Sequence, residues 1–317
     1  MIADPVERRL VQQIEAFGIM GSQLYQRALE RALADYRAHG AMYRFFEEDP
    51  ARKQMSTPGV RLMAAFHFLA LSGEAPDVAA LLPSCGGAER QWDKLWEAMR
   101  ARLESNDERI GKLFARTPQT NEVMRARVLA AGLSTFARAS GFPLRLFEIG
   151  ASAGLNTRIE IDGYDIAERA ACDLHPLDIN KEEDRRRLLS YVWADDGERV
   201  ALLHQAIERA RTRPLAVEQA DMFEWLPRRV EPKPGYATVV MQSVVSDHLT
   251  KDERARLAGI IEAIGAAATA NGPFAWLRME FERGSRRYQT RLRTWPGGYD
   301  ELIATSTGHA REIEWIG

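Results

Sequence analysis

Between Leu144 and Asn156 the chain reads Leu-Arg-Leu-Phe-Glu-Ile-Gly-Ala-Ser-Ala-Gly-Leu-Asn: an apolar run, closed by an acid and an isoleucine, that enters a turn of small side chains. Few arrangements suit that order. The run is short and apolar enough for a buried strand. Gly150 and Gly154 permit left-handed backbone and leave no Cβ in the way of a ligand, and a helix opening after them would turn unpaired N–H groups toward an anion. The stretch predicts a strand, turn and helix at the ligand edge of an α/β sheet. Glu148, Gly150, Ala151, Ser152, Gly154 and Asn156 are its candidate binding residues.

Downstream, short strand-like runs alternate with helical patterns, which predicts a mostly parallel sheet wrapped by helices. A second strand ends at Asp173, helical patterns follow over 181–190 and 196–212, and a third strand over 215–220 leads into Asp221. A fourth covers Tyr236–Gln242. Thr250 and Glu253 then form a capping box for a helix whose Leu257, Ile260, Ile261 and Ile264 share one face. Phe274–Phe281 is a fifth strand, and a closing pair is expected at 287–294 and 310–316.

Upstream of residue 141 the pattern is helical. Val60, Met63, Ala64, His67, Phe68 and Leu71 follow helical spacing, and Leu62, Phe66 and Leu69 make the rest of that helix apolar, so it is expected to be buried. Further helices are expected around 20–38, 88–103 and 120–139. The organisation predicted is a helical domain over 1–141, covering the pocket of an α/β domain over 142–317.

Charge narrows the partners. Forty-three basic against 45 acidic residues leave a net charge of −2, which suggests neither nucleic acid nor an anionic membrane surface and leaves a small-molecule substrate as the expectation. No apolar run reaches the ~18 residues of a membrane span. The start of the chain, with Asp4 and Glu7, lacks the order of a secretory signal, so a cytoplasmic location is expected. Cys85 and Cys172 have no spacing partner for zinc, and no metal is expected.

Acids punctuate the strand ends. Asp173 is positioned to accept ribose hydroxyls, as the acid of a dinucleotide fold does, and Asp221 to meet an adenine amino group beside the apolar Met222 and Phe223. Each residue has a plainer role open to it. His175 and Asp178 either line a pocket or cap the next helix. His204, with Val200, Leu203 and Ile207 on one helical face, reads as a core or boundary histidine, and Cys172 as a small core residue. Arg283, Arg286, Arg287, Arg291 and Arg293 read as a solvated hairpin face or a greeting for an anionic substrate.

The motifs Thr120-Asn121-Glu122-Val123, Phe147–Asn156, Cys172–Asp178 and Trp295-Pro296-Gly297-Gly298 resemble those of a bacterial family of uncharacterised proteins, a domain of unknown function. In that family a helical region precedes a core similar to class I S-adenosylmethionine-dependent methyltransferases. The resemblance implies a Rossmann-like, mostly parallel sheet closed by an antiparallel hairpin, with S-adenosylmethionine as cofactor. It implies that the turn Gly150–Gly154 holds the amino-acid end of the cofactor, Asp173 the ribose, and Asp221 with Met222 the adenine, with Leu174 a further cofactor-binding candidate. Gln242, Ser243, Asp247 and His175 become candidates beside the transferred methyl, and Asn121, Glu122 and Arg125 become pocket candidates. No substrate comes with the resemblance. The chain departs from the family in two places: only Thr157 to about Ala167 fills a segment expected to be longer, and Gln242 stands where a histidine is expected before Ser243.

Three rival readings stay open. Gly150-Ala151-Ser152-Ala153-Gly154 satisfies G-x-S-x-G, and Ser152, Asp247 and His309 follow the chain order of an α/β-hydrolase triad, although the helical pattern before Leu144 leaves no earlier strand to build an oxyanion loop. A nicotinamide dehydrogenase would need the spacing G-x-G-x-x-G, which the turn lacks. The third is a protein that binds an adenosyl ligand without turnover, or a relic fold that binds nothing.

Overall fold

The computed structural model describes residues 4–88 and 90–316. Helices α1 (Pro5–Met20), α2 (Gln23–Arg37), α3 (Ala41–Glu47), α4 (Pro58–Leu71), α5 (Pro76–Ala79), α6 (Trp92–Glu104), α7 (Glu108–Ala115) and α8 (Ala126–Ser140) come before any strand. After them run β1 (Leu144–Ile149), β2 (Ile166–Asp173), α9 (Glu182–Ser190), α10 (Gly197–Arg211), β3 (Val217–Gln219), α11 (Met222–Arg229), β4 (Ala237–Ser243) and α12 (Lys251–Ala266). The chain closes with β5 (Phe274–Glu282), β6 (Arg287–Trp295), β7 (Asp300–Ser306) and β8 (Ile313–Trp315). Two compact units emerge: Met1–Thr120 with Lys181–His204, and Asn121–Asn180 with Gln205–Gly317.

The first unit is all helical. Helix α4 is buried over nearly its whole circumference, which is why its sequence is apolar all round. Phe45, Phe46 and Phe114 of the same apolar cluster pack edge to face, with ring centroids 5.2 to 5.7 Å apart. His67 on α4 is also buried; its Nδ1 lies 3.2 Å from the Ser190 carbonyl and its Nε2 2.8 Å from Ser84 Oγ. Burial disfavours the imidazolium and pushes the group down to about 4. The helix expected over 20–38 begins at Gln23 because Gly21, at φ 96°, ends α1 and the Ser22 side chain caps α2. The helix expected over 88–103 runs from Trp92 to Glu104; Glu89 lies outside the described residues.

The second unit is a Rossmann-like mixed sheet in the order β3-β2-β1-β4-β5-β6-β7-β8. Strands β1 to β5 run parallel, and β5 to β8 antiparallel. Helix α8 covers one face, over Leu144, Leu146, Val239, Met241 and Leu277. It sits close because Gly132 presents no side chain: a Cβ there would fall 2.4 Å from Leu277 Cδ1. The other face packs Phe147, Ile149, Val240 and Phe274 against Trp225 of α11 and Ile261 of α12. With both faces covered, every residue of β1 is buried, as a central parallel strand requires.

Two expectations are corrected. No α-helix follows the glycine turn; β1 and β2 are joined by a single 3-10 turn at Asn156–Arg158 and a tight reversal at Ile161–Tyr164. Arginine side chains do the work of the missing helical bonds. Arg158 Nη1 donates to the Ala153 and Gly154 carbonyls at 3.1 and 2.7 Å, and Arg169 donates to those of Thr157 and Ile159 at 3.2 and 3.0 Å. The closing pair of strands is a meander of three. The unexpected β7 carries Asp300, Glu301, Ala304 and Ser306, residues poor in strand propensity, and it pairs along most of β6. No described helix is long and apolar enough to cross a membrane.

Candidate functional site

Chain order sets the position of the site. From β1 the chain moves outward to β2 and β3, then returns to the opposite side of β1 as β4. The carboxyl ends of β1 and β4 therefore flank a topological switch point, where open α/β sheets form their crevice. Along this edge stand Asp221 after β3, Asp173 at the end of β2, the turn from Gly150 after β1, Gln242 and Ser243 ending β4, and Glu280 on β5.

The turn is held open in an uncommon conformation. Gly150, Ser152 and Gly154 all have positive φ, of 64°, 54° and 67°. For Ser152 that region is costly, and strained residues concentrate at functional sites. Its backbone is nevertheless well tethered: the N–H donates to Asp173 Oδ2 at 2.8 Å, and the carbonyl accepts from Leu177 at 3.1 Å. Ser152 Oγ is buried without a hydrogen-bond partner. That atom bears on the hydrolase reading: with no bond from Oγ to an imidazole, Ser152, Asp247 and His309 do not form a triad. Asp247 is exposed, and His309 lies half-buried between β7 and β8.

Asp173 ties the edge together. Its second oxygen accepts the His175 N–H at 2.8 Å, so the carboxylate fixes both the turn after β1 and the exit from β2. His175 is exposed, and Leu174 beside it is an exposed large apolar side chain. Asp178 accepts the Asn180 N–H at 2.9 Å in a local turn. Asp221 caps α11 through the Phe223 N–H at 2.8 Å, with Met222 half-buried next to it.

Glu148 lies one residue before the end of β1, wholly buried, with Thr157 Oγ1 bonded to its carboxyl. Burial, reinforced by the charge of Asp173 and opposed by the Thr157 bond, pushes the acid up to about 8. Burial thus favours the protonated form of Glu148. Behind it, burial pushes the Cys172 thiol up to about 12, in keeping with a core residue.

The segment before α8 joins the same edge. Asn121 Oδ1 accepts the Leu155 N–H at 3.0 Å, and Asn156 Nδ2 donates to the Glu122 carbonyl at 3.4 Å. The Glu122 side chain caps the 3-10 turn Val123–Arg125, which separates this segment from α8 and breaks the helix expected over 120–139. Arg125 is buried, donating from Nε to the Gly308 carbonyl at 3.0 Å and from Nη1 to Ser243 Oγ at 3.4 Å. Asn121, Glu122 and Arg125 thus meet the β1 turn and the end of β4.

Gln242 is bonded within the sheet. Its Nε2 donates to Glu280 Oε1 at 2.7 Å and its Oε1 accepts from Trp276 Nε1 at 3.0 Å, so the amide is spent within the wall. Glu280, Thr157 and Val245 were not signalled as site residues by the sequence. Glu280 had a readable sign, an acid near the end of a strand. His204 is exposed, which corrects its reading as a core or boundary residue. Of the arginines on the closing strands, Arg291 pairs with Asp300 and Arg293 with Glu262. Among the described residues no cluster of His, Cys, Asp and Glu is arranged to hold a metal ion.

The family described as uncharacterized proteins conserved in bacteria, DUF2332, matches the chain over residues 8–167 and 160–315, and the protein belongs to it. No curated protein and no solved structure matches the chain.

Proposed function

We propose that this member of the bacterial DUF2332 family binds S-adenosylmethionine at the carboxyl edge of its sheet and transfers the methyl group to a small-molecule acceptor. The observation that carries the reading is the strained, small-residue turn at the switch point, with Gly150 at φ 64° and a buried, unpartnered Ser152 hydroxyl. A buried hydroxyl without a partner costs about 1–3 kcal/mol, and a polar ligand group at the turn would supply the bond. The other residues of the edge fit the same group. Gly150 to Ser152 would face its amino-acid end, Asp173 its ribose, and Leu174, Asp221 and Met222 its base.

When bound, this cofactor supplies a methyl on a sulfonium, an electrophile that needs chiefly a nucleophile held about 3 Å away in line. The chain's part is orientation and the exclusion of water. Ser243, held by Arg125, and Asp247 are the groups at and after the end of β4 that would orient an acceptor or take its proton. A second reading, ligand binding without turnover, draws support from Gln242: a glutamine amide is no base, so β4 ends without a proton acceptor at that position.

Calorimetric titration of the full chain with S-adenosylmethionine and S-adenosylhomocysteine, with NAD as control, tests the reading. Saturable binding of both adenosyl ligands and not of NAD is the expected result. Folded protein that binds neither overturns it. Transfer of labelled methyl to any acceptor from a small-molecule panel then separates the enzyme from the non-catalytic binder.

A further inference from the structure

The turn that leaves β4 is fastened by one carboxylate. Val244 has φ 58°, a conformation that a β-branched residue adopts only where its surroundings impose it. Its N–H donates to the Met279 carbonyl on β5 at 2.8 Å. The next two N–H groups both go to Glu280: Val245 to Oε1 at 3.0 Å and Ser246 to Oε2 at 3.1 Å. Oε1 also takes the Gln242 amide at 2.7 Å, and Arg254 Nη1 holds the Ser246 carbonyl at 3.0 Å. Burial pushes the Glu280 acid upward, against the effect of these three bonds. Such a group is expensive to keep inside a protein unless its oxygens are satisfied, and here three donors converge on it.

What the fastening achieves is visible at Val245. A Cβ built on Gly150 would lie 2.7 Å from Val245 Cγ2, so this side chain rests on the glycine turn of the neighbouring strand. The two turns that flank the switch point therefore touch, and the position of one of them is set from β5. Three backbone N–H groups of consecutive residues are committed to β5, which leaves the turn little freedom to slide along its neighbour.

We propose that Glu280 is a positioning residue for the ligand of this edge: it fixes Val244–Ser246, and through Val245 it sets the gap between the β1 and β4 turns. The inference rests on the reading of the switch point as an adenosyl-ligand site. Asp173 is its counterpart on the other side, since each carboxylate fastens the turn that follows an adjacent strand. Neither Glu280 nor Val245 is placed to touch the reacting atoms; their effect is on where the walls stand.

The test uses the full chain as wild type, Glu280→Gln and Val245→Ala. Three quantities are measured for each: thermal midpoint, amide hydrogen exchange at Val245 and Ser246, and calorimetric affinity for S-adenosylhomocysteine. Glutamine retains one acceptor and loses the other, so folded Glu280→Gln is expected to exchange the Ser246 amide at least about tenfold faster and to bind about tenfold more weakly, which corresponds to ~1.4 kcal/mol. Val245→Ala is expected to keep slow exchange at both amides and still to weaken binding, because the bonds to Glu280 remain and the wall is gone. Unchanged exchange in Glu280→Gln overturns the proposal, as does faster exchange with wild-type affinity, the signature of a carboxylate that only supports the fold. If Glu280→Gln does not fold, wild-type affinity in Val245→Ala overturns it. Wild-type protein that binds no adenosyl ligand removes the underlying reading and this inference with it, whereas wild-type binding with unaltered variants removes this inference alone.

Discussion

The carboxylate of Asp173, at the end of β2, accepts the backbone N–H of Ser152, in the turn after β1, at 2.8 Å. One side chain thereby fixes the conformation of a turn on the neighbouring strand, and the same carboxylate holds the His175 N–H. In Asp173→Asn only one oxygen remains, so one of the two N–H groups meets an NH2 group. The variant is expected to lose about 1–3 kcal/mol of stability. Urea unfolding followed by fluorescence measures it, and a variant as stable as wild type would show that the bond is dispensable.

Close seating of α8 on β5 gives a second expectation. A Cβ at Gly132 would lie 2.4 Å from Leu277 Cδ1, so Gly132→Val must push the helix away or force Leu277 out of its rotamer. Overpacking of this kind costs about 1–3 kcal/mol. Pairing it with Leu277→Ala should recover part of the loss, and a double-mutant cycle reads the coupling.

Glu148 should make the sheet unit sensitive to alkali. Its acid sits at about 8 in the fold against 4.5 in a solvated chain, so between those values the folded state binds more protons than the unfolded one. Stability then falls as pH rises through that window, and the contribution is complete only below its lower end. Glu148→Gln, which resembles the protonated acid, should flatten the decline. Urea midpoints at pH 5, 7 and 9 for the two proteins check the sign.

His67 predicts the opposite slope in the helical unit. Its imidazole sits near 4 in the fold against 6.5 when solvated, so in that range the unfolded chain takes up a proton that the fold excludes. Stability present above 6.5 is lost as pH drops toward 4. His67→Gln should shrink the acid-side slope and leave the alkaline slope set by Glu148 in place. Hydrogen exchange resolved by segment tells the two units apart.

Much of the sheet unit was legible because single residues carried strong local meaning. The apolar run ending at Ile149 and the paired glycines located β1 and its turn, and Thr250 with Glu253 marked the start of α12 through the capping box that the structure contains. Other features lay beyond local pattern. Nothing near Gly154 announces that Arg158 and Arg169 will satisfy carbonyls a helix would have bonded, because the decision belongs to side chains that fold back from later in the chain. Strand β7 was hidden by Asp300, Glu301 and Ser306, whose strand conformation is imposed by pairing with β6. Glu280 and Gln242 show the same limit at the site. Their types were plain in the sequence, but that the two side chains would meet depended on the register of β4 against β5.

The grouping of Lys181–His204 with the N-terminal helices bears on how the chain can be cut. Its Trp193 and Ala194 belong to the apolar cluster formed by α1 to α7, although they are encoded between β2 and β3. The polypeptide thus leaves one unit, completes the other and comes back, as a thread sewn through two pieces of cloth. A fragment starting at residue 142 would carry that stitch with nothing to hold it, and one ending at 141 would lack it. Neither half cut at residue 141 is expected to fold as a self-sufficient body, and an experimenter who wants either unit alone is expected to need the excursion spliced out of one and grafted onto the other.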